Sequence, residues 1–199
     1  MTRYSYFFSV AFVLLLMSQL FMAYRTARVE SPNYEIVKSF ENFEIRNYDT
    51  MVLAQTQMNS NIYEESSSMG FKTIANYIFG GNKDNQKIAM TSPVIMEMGV
   101  SSKMSFVMPK EHSFENLPEP NSESVELIQI QPKTYAVLEF TGFANDKKIQ
   151  KHSKRLLQFL KSERLTPVGN MKYLGYNPPW QVLGRKNEVA VEVRYSPKL

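Results

Sequence analysis

The side chains that most often hold a metal or relay protons are scarce in this chain. It contains two histidines, His112 and His152, and no cysteine. A chain without thiols has no disulfide, no thiolate metal site and no lipid-modified cysteine. His112 lies in a stretch rich in Pro and Glu and His152 lies among lysines, without the short spacing of paired metal-binding histidines. We expect both to be surface histidines, and we predict no metal site.

Motifs of catalysis are also missing from the sequence. Gly80-Gly81-Asn82 lacks the Lys-Ser/Thr pair of a phosphate-binding loop, and no G-x-S-x-G nucleophile motif occurs. Glu97, Glu139 and Tyr173 are candidates for acid–base work, but nothing in the sequence pairs them. We therefore predict no catalytic residues and a protein that is not an enzyme.

The first thirty residues form a unit of their own. Residues 6–24 are apolar apart from Ser9, Ser18 and Gln19, and about 20 such residues suffice to cross a bilayer. We favour an uncleaved signal anchor, with a cleaved signal peptide and a buried helix of the globular domain as alternatives. Residues 7–17 could serve a signal peptide, but no small-x-small cleavage site follows them. Tyrosines at both ends of an all-round apolar segment argue against the buried helix.

These observations predict two regions, with residues 1–30 as signal anchor or signal peptide plus a short tether and residues 31–199 as one domain. Arginines flank the apolar segment on both sides, at Arg3, Arg25 and Arg28, so the charge rule leaves its orientation open. We expect a membrane-anchored chain with its domain outside the cytoplasm. If the signal is cleaved, the domain is expected to be secreted or periplasmic.

The charge of the chain limits its partners. A formal net charge of +4 is mildly basic, and most lysines lie among glutamates and asparagines. Nucleic-acid binding needs basic residues gathered on one face. Residues 147–155 form one basic helical face, which we expect to be solvated, with anionic lipid as the alternative contact. We predict no nucleic-acid partner and a monomeric protein.

The first helix of the domain is predicted at residues 62–79. Asn59, Ser60 or Asn61 can cap its start, and Gly80-Gly81 ends it. Its apolar residues recur at helical spacing, and the predicted buried face consists of Phe71, Ile74, Ala75 and Ile78.

The remaining segments predict a second helix and many strands. The helix spans residues 146–163, and its predicted inward face consists of Ile149, Ser153, Leu156, Leu157 and Leu160. Alternating or β-rich composition predicts strands at residues 34–37, 43–48, 51–58, 88–91, 94–98, 103–107, 125–130, 134–140, 173–176 and 188–194. Residues 109–124 are rich in Pro, Glu, Asn and Ser and predict a loop. The order of strands, helix and strands occurs twice, which predicts an α+β domain with a mainly antiparallel sheet and two helices against it.

Three segments taken together resemble the SOUL haem-binding protein family. They are YEIV and FEIRNY within residues 34–48, NYIFGGN and KIAMTSPV within residues 71–94, and GYNPPW and GRKNEV within residues 175–189. The likeness extends over residues 34–193. It implies a distorted antiparallel β-barrel of two similar halves flanked by two helices. It also implies binding of haem or another tetrapyrrole.

The resemblance implies a site as well. The family is expected to hold haem on an exposed apolar patch beside the first helix, near the turn after the Pro-Pro segment. Carried over to this sequence, this site consists of Met69, Phe71, Lys72, Ala75, Asn76, Trp180 and Gln181. Met69 and Phe71 can form an apolar wall, and Lys72 can meet a propionate. Trp180 can stack on the ring face.

An axial ligand is the missing part of this site. Asn47 stands where some family members place a histidine, and an amide is a poor iron ligand. Ligation by Met69 is open, although a lone thioether holds iron weakly. We therefore expect loose haem binding, micromolar or weaker, which corresponds to about 8 kcal/mol or less, in a carrier, buffer or sensor. The alternative is a module that binds another apolar ligand or a protein partner without haem.

Overall fold

The computed structural model describes residues 2–26, 28–60, 62–99 and 101–195. Within these ranges it contains three helices and nine strands. The helices are α1 (Thr2–Thr26), α2 (Tyr63–Ile78) and α3 (Asp146–Ser162). The strands are β1 (Tyr34–Ser39), β2 (Glu44–Tyr48), β3 (Met51–Gln57), β4 (Val94–Met98), β5 (Lys103–Val107), β6 (Glu126–Ile130), β7 (Lys133–Thr141), β8 (Pro167–Gly175) and β9 (Lys186–Val193).

The strands join one antiparallel sheet with the order β1-β2-β7-β9-β8-β4-β5-β3-β6. The sheet curls into a half-barrel, with β1 and β6 at its two edges. Strands, helix and strands follow one another twice along the domain. The predicted α+β class and the repeated order of elements are therefore confirmed, with a half-barrel as the form of the barrel.

The half-barrel has two different faces because successive residues of a strand point to opposite sides. On β9, Val189, Val191 and Val193 belong to the main core beneath α2 and α3. Ala190 points the other way, into a second buried cluster with Tyr48, Val137 and Leu174. We call the side that carries this second cluster the open face.

The two domain helices begin and end within about one residue of the predicted bounds, but the start of α2 is capped differently. Its N-cap residue, Ile62, makes no side-chain cap. The carboxylate of Asp146, at the start of α3, accepts from Tyr63 N at 2.8 Å and from Glu64 N at 3.3 Å. The predicted caps Asn59 and Ser60 are therefore wrong, and Asn61 lies outside the described residues. A distant carboxylate satisfies the free N–H groups of the first turn.

Three other local predictions differ from the structure. The strand predicted at residues 88–91 is absent from the described chain, where Lys87 forms only an isolated bridge with Phe79. The β-branched side chain of Ile88 fills the core and does not mark a strand. It is 3% exposed, and the Ile88 N–H donates to the Ile78 carbonyl. Strand β8 begins at Pro167, well before the predicted start at residue 173. A bulge between Val168 and Lys172 interrupts its register, and its polar residues there do not alternate with apolar ones as in a typical strand. Leu157, predicted to face inward, is 43% exposed.

Candidate functional site

The first part of the predicted site is an exposed stripe on α2. Met69, Lys72 and Asn76 recur at helical spacing, and all three are exposed. Met69 is 63% exposed, and its sulfur lies 3.9 Å from Asn59 Nδ2. No ion pair of Lys72 is found within the described residues. A thioether and an ammonium group thus lie one helical turn apart and open to solvent. We call Met69, Lys72 and Asn76 the α2 stripe.

Two other predicted site residues on α2 are turned toward the core. Phe71 is 37% exposed, and its ring lies 5.2 Å from the ring of Phe106. Ala75 is 8% exposed and packs with the helix-side core. Phe71 can therefore offer one ring edge to a ligand, whereas Ala75 can shape the surface only from below.

The second part of the predicted site is the loop between β8 and β9. Trp180 is 65% exposed, but Gln181 is only 1% exposed. Gln181 accepts from Thr26 Oγ1 at 2.7 Å and donates to the Leu183 carbonyl at 2.9 Å. Within the described residues, no hydrogen bond or ring contact joins Trp180 to α2. The structure thus supports a positioning role for Gln181, and the joint site remains a prediction.

The open face carries a groove that the sequence did not reveal. It holds about 100 Å³ of space open to water-sized molecules and is lined by Pro32, Tyr48, Met51, Leu53, Gln55, Pro93, Ile95, Glu97, Lys103, Ser105, Ile128, Ile130, Tyr135, Lys172, Leu174 and Ala190. The rings of Tyr48 and Tyr135 meet edge to face at 5.7 Å. The unbroken apolar run of residues 51–54 was the available signal, because a strand buried on one face alone alternates. We call this cavity the open-face groove.

Charges at the open-face groove are unevenly paired. Glu97 forms an ion pair with Lys172 and accepts from Asn170 Nδ2 at 3.0 Å. Burial alone would raise the pKa of Glu97, but these two hydrogen bonds outweigh it and hold the pKa below its usual value. Lys103 forms no ion pair within the described residues, but its charge also lowers the pKa of Glu97, so two lysines and one carboxylate line the groove.

The tyrosines of the open-face groove are poor candidates for iron ligands. Burial raises the pKa of Tyr48 to about 12, and burial also raises the pKa of Tyr135, with Glu192 adding to the effect. Iron ligation by tyrosine uses the phenolate. Because both phenols stay protonated at neutral pH, the groove favours an apolar ligand with an acidic group over a metal-centred one.

A buried ion network lies on the same face. Glu188 is 0% exposed; it accepts from Arg46 Nη1 at 2.9 Å and from the Tyr176 hydroxyl at 2.6 Å, and Lys186 Nζ lies 3.1 Å from it. Burial, with the charge of Glu188, keeps the pKa of Tyr176 far above its usual range, so this phenol remains a donor. The side chains of Arg46, Tyr176 and Lys186 thus converge on the Glu188 carboxylate. We call Arg46, Tyr176, Lys186 and Glu188 the Glu188 network.

The histidines lie away from these surfaces. His152 is half-buried, and its ring stacks on Phe140 at 4.3 Å, so the prediction of a surface histidine is wrong for it. Burial and the neighbouring cations lower the pKa of His152, which keeps it neutral. The His112 side chain is only 10% exposed and lies 3.7 Å from Glu111, so the prediction of a surface histidine is wrong for it as well. Within the described residues no group of three or more potential His, Cys, Asp or Glu metal ligands occurs.

The three acid–base candidates do not converge either. Glu97 is engaged with Lys172 on the open face, and Glu139 lies 3.5 Å from Lys186. The Tyr173 hydroxyl donates to Asn187 Oδ1 at 2.8 Å inside the core. Burial keeps the pKa of Tyr173 far above its usual range, so this phenol is a structural donor.

The segments that carry the family resemblance serve mainly as scaffold. Arg46 and Glu188 belong to the Glu188 network. Asn82, which is 0% exposed, bonds to the Tyr77 carbonyl and to both backbone groups of Gln86. Arg185 donates to the carbonyls of Pro178 and Gln181 and so shapes the loop that presents Trp180. The shared residues therefore maintain the fold around the candidate surfaces.

Comparison with known proteins agrees with this arrangement. A model of the family described as SOUL heme-binding protein matches residues 29–192. The chain is 29% identical over 157 residues to Heme-binding protein 2 of Homo sapiens, which covers 74% of this chain and 76% of that protein. It is 24% identical over 155 residues to Heme-binding protein 1 of Xenopus laevis, with coverages of 74% and 81%.

Solved structures share the fold at much lower identity. The C-terminal domain of EcmrR has a TM-score of 0.59 at 9% identity and covers 82% of this chain and 99% of that one. A hydrolase from Listeria innocua has a TM-score of 0.54 at 8% identity, with coverages of 79% and 94%. At such identities the likeness shows the fold alone. The family model spans nearly all of the domain, and the chain therefore belongs to the SOUL heme-binding protein family.

Proposed function

We propose that this protein binds haem or a related tetrapyrrole reversibly, as a carrier, buffer or sensor. The observation that carries the proposal is the α2 stripe, where the exposed thioether of Met69 lies one turn from the ammonium of Lys72, which forms no ion pair with the residues that the structure describes. A porphyrin needs an apolar wall and a cation for its propionates. The relatives named heme-binding proteins support the choice of ligand.

The side chains of the predicted site fit loose binding of haem. The accessible members of the predicted site are Met69, Phe71, Lys72, Asn76 and Trp180. Haem, when bound, supplies the iron and the visible absorbance, whereas these side chains supply contact area and charge. Neither histidine lies on the α2 stripe, and a thioether alone binds iron weakly. We expect a dissociation constant in the micromolar range or above, about 8 kcal/mol or less.

Replacing Met69 by glutamate should weaken hemin binding at least about tenfold, or 1.4 kcal/mol, because the new carboxylate repels the propionates and removes the apolar contact. The measurement is a titration of the full chain in detergent, followed by Soret absorbance. Leu157→Glu is the matched control, because Leu157 is also an exposed apolar residue of a helix but lies on α3, outside the stripe.

The same titration tests the proposal as a whole. Equal hemin affinity of the two variants would contradict a site on the α2 stripe. The absence of a saturable Soret shift, or the same shift with an unrelated protein, would refute haem binding altogether.

A second candidate is a different apolar ligand, held in the open-face groove. The groove combines apolar walls, the rings of Tyr48 and Tyr135, and Lys103, for which no ion pair is found within the described residues. This combination suits an apolar ligand with one acidic group. Hemin and iron-free protoporphyrin distinguish the candidates, because a site that uses iron discriminates between them. Equal affinities, unchanged by Met69→Glu, would assign binding to the groove.

We infer no enzymatic activity and no nucleic-acid partner, and we propose a monomer. The absence of convergence among Glu97, Glu139 and Tyr173 in the described structure supports a binding role. The relatives are likewise named for binding.

We further propose that α1 anchors the protein in a membrane and is not cleaved, with the domain outside the cytoplasm. Residues Phe7–Thr26 form a helix long and apolar enough to cross a bilayer, with a mean hydropathy of 2.0 and no buried residue. Gln19 and Thr26 also bond to the domain, at Val182 and Gln181. Cleavage near residue 30 would remove both contacts, which supports a retained helix.

Replacing Leu15 and Leu16 by lysine should release the chain from liposomes, because charges at mid-span are strongly unfavourable. The measurement is flotation of the full chain on a density gradient, with the paired Leu→Ala variant as control. Release of both variants to the same extent, or a purified membrane form that lacks residues 1–30 by mass, would contradict the anchor.

A further inference from the structure

We propose that the loop of Trp180, Gln181, Val182 and Leu183 enters the apolar edge of a lipid bilayer beside α1, so that the domain is held against the membrane. This inference rests on the proposed anchoring by α1. It commits to lipid as the partner of the surface formed by Trp180, Val182 and Leu183, which we call the lipid-facing loop. This assignment replaces the haem contact predicted for Trp180 and leaves the haem site on α2 alone.

The lipid-facing loop is attached directly to α1. The Val182 N–H donates to Gln19 Oε1 at 2.9 Å, and Thr26 Oγ1 donates to Gln181 Oε1 at 2.7 Å. A methyl group added at Gly184 would lie 3.9 Å from the Ala23 Cβ. Within residues 7–26, the half-buried side chains form one helical stripe of Gln19, Met22, Ala23 and Thr26. The last two turns of the helix therefore dock directly on the loop.

These contacts set the depth of the loop in the bilayer. Gln19 precedes Thr26 by seven residues, or about 10 Å along a helix. The apolar core of a bilayer is about 30 Å thick and each headgroup zone adds about 5–8 Å. If Thr26 lies in the headgroup zone, Gln19 and the Val182 backbone lie at the edge of the apolar core. The polar side chain of Gln19 within an apolar span then has a physical role, because it satisfies a backbone donor that water does not reach.

The loop has the chemistry that this depth requires. Trp180, Val182 and Leu183 are 65%, 55% and 41% exposed, and residues 178–184 contain no ionisable side chain. Tryptophan is enriched where a bilayer meets water. The carbonyls of Pro178 and Gln181 accept from Arg185, and the Leu183 carbonyl accepts from Gln181. The loop thus presents apolar side chains outward and pairs these backbone groups internally.

The two arginines beside the loop are oriented differently, and only one of them is available to lipid headgroups. Arg28 packs over the Tyr24 ring at 4.4 Å, just beyond the apolar span. Arg185 instead points inward, is 9% exposed and packs over the Phe143 ring at 4.4 Å. An exposed arginine follows the span while the arginine next to the loop is withdrawn from its surface, as a lipid-facing loop requires.

The test uses the single tryptophan of the chain, so intrinsic fluorescence reports on Trp180 alone. The full chain is reconstituted without hemin into phosphatidylcholine liposomes whose acyl chains are brominated near the headgroup or near the methyl end. We expect blue-shifted emission and at least about twofold stronger quenching by the shallow bromines. Val182→Asp should reduce this quenching, whereas Phe114→Asp, an exposed side chain on another loop, should leave it unchanged.

The outcomes separate this inference from the anchoring on which it rests. A chain that floats with liposomes, but whose emission is quenched by aqueous iodide and not by bromolipid, would overturn the lipid-facing loop and leave the anchor intact. A chain that does not float would refute the anchor and the loop together. Equal quenching in Val182→Asp and the parent chain would also count against the loop.

Discussion

Replacing Arg46 by methionine is expected to lower the free energy of unfolding by about 3–5 kcal/mol, because it removes one partner of a buried ion pair. Arg46 is 5% exposed and Glu188 is 0% exposed, so the remaining carboxylate cannot recover its hydration. The same guanidinium also bonds to Glu44 at 2.8 Å and packs over the Tyr34 ring at 4.5 Å. The measurement is urea unfolding of the full chain in a mild detergent.

The matched control is Lys133→Met, which also removes a cation from the open face. Lys133 pairs with Glu192 at 2.6 Å, but these side chains are 40% and 30% exposed. Solvent screens such a pair, so we expect a cost of about 1 kcal/mol or less. The double variant Arg46→Met with Glu188→Leu should regain part of the stability, since it removes the buried carboxylate that Lys186 and Tyr176 alone would otherwise have to compensate. Equal losses in Arg46→Met and Lys133→Met would contradict a special cost of the Glu188 network.

Replacing Asn82 by alanine is expected to cost about 2–3 kcal/mol, because several buried backbone groups lose their partner at once. Its Nδ2 donates to the Tyr77 carbonyl at 3.0 Å and to the Gln86 carbonyl at 2.7 Å, and its Oδ1 accepts from Gln86 N at 2.9 Å. The same residue pairs through its backbone with Pro120, so it ties the end of α2 to the loop at residues 109–124.

Asp84→Ala is the control for Asn82, because Asp84 is exposed in the same turn and its side chain makes no ion pair within the part of the chain that the structure describes. A surface change of this kind costs about 0.5 kcal/mol or less. Thermal unfolding of both variants, followed by far-ultraviolet circular dichroism, gives the comparison. A midpoint for Asn82→Ala as high as that for Asp84→Ala would show that water or a shifted loop replaces the lost amide.

The tests of function and of stability are independent in this molecule. Met69 on α2 and Leu157 on α3 are exposed, so charges there do not disturb the core. Arg46 and Asn82 are buried and act on the fold without touching the α2 stripe. A loss of hemin binding in Met69→Glu with unchanged unfolding would therefore be assigned to the surface itself.

Local spacing in the sequence was enough to predict most elements. The recurrence of Phe71, Ile74, Ala75 and Ile78 marked the buried side of α2; the last three are buried, whereas Phe71 is 37% exposed. The alternation in Glu44-Ile45-Arg46-Asn47-Tyr48 marked β2, although its polar members are not all exposed, because the Glu188 network buries Arg46. Alternation indicates which residues share a face, but it does not show whether the second face meets water.

The sequence by itself determined the apolar span of α1, the two helices of the domain, most of its strands and, through three motifs, its family. These features depend on residues close together in the chain, where hydrophobic periodicity acts directly. Only the tertiary structure brought Asp146 to the start of α2, Arg46 to Glu188 and Gln19 to Val182. Each of these contacts joins residues more than 80 positions apart, and no local pattern encodes which distant group will satisfy a buried donor. The open-face groove arises in the same way, from the curl of a sheet whose strands come from both halves of the domain.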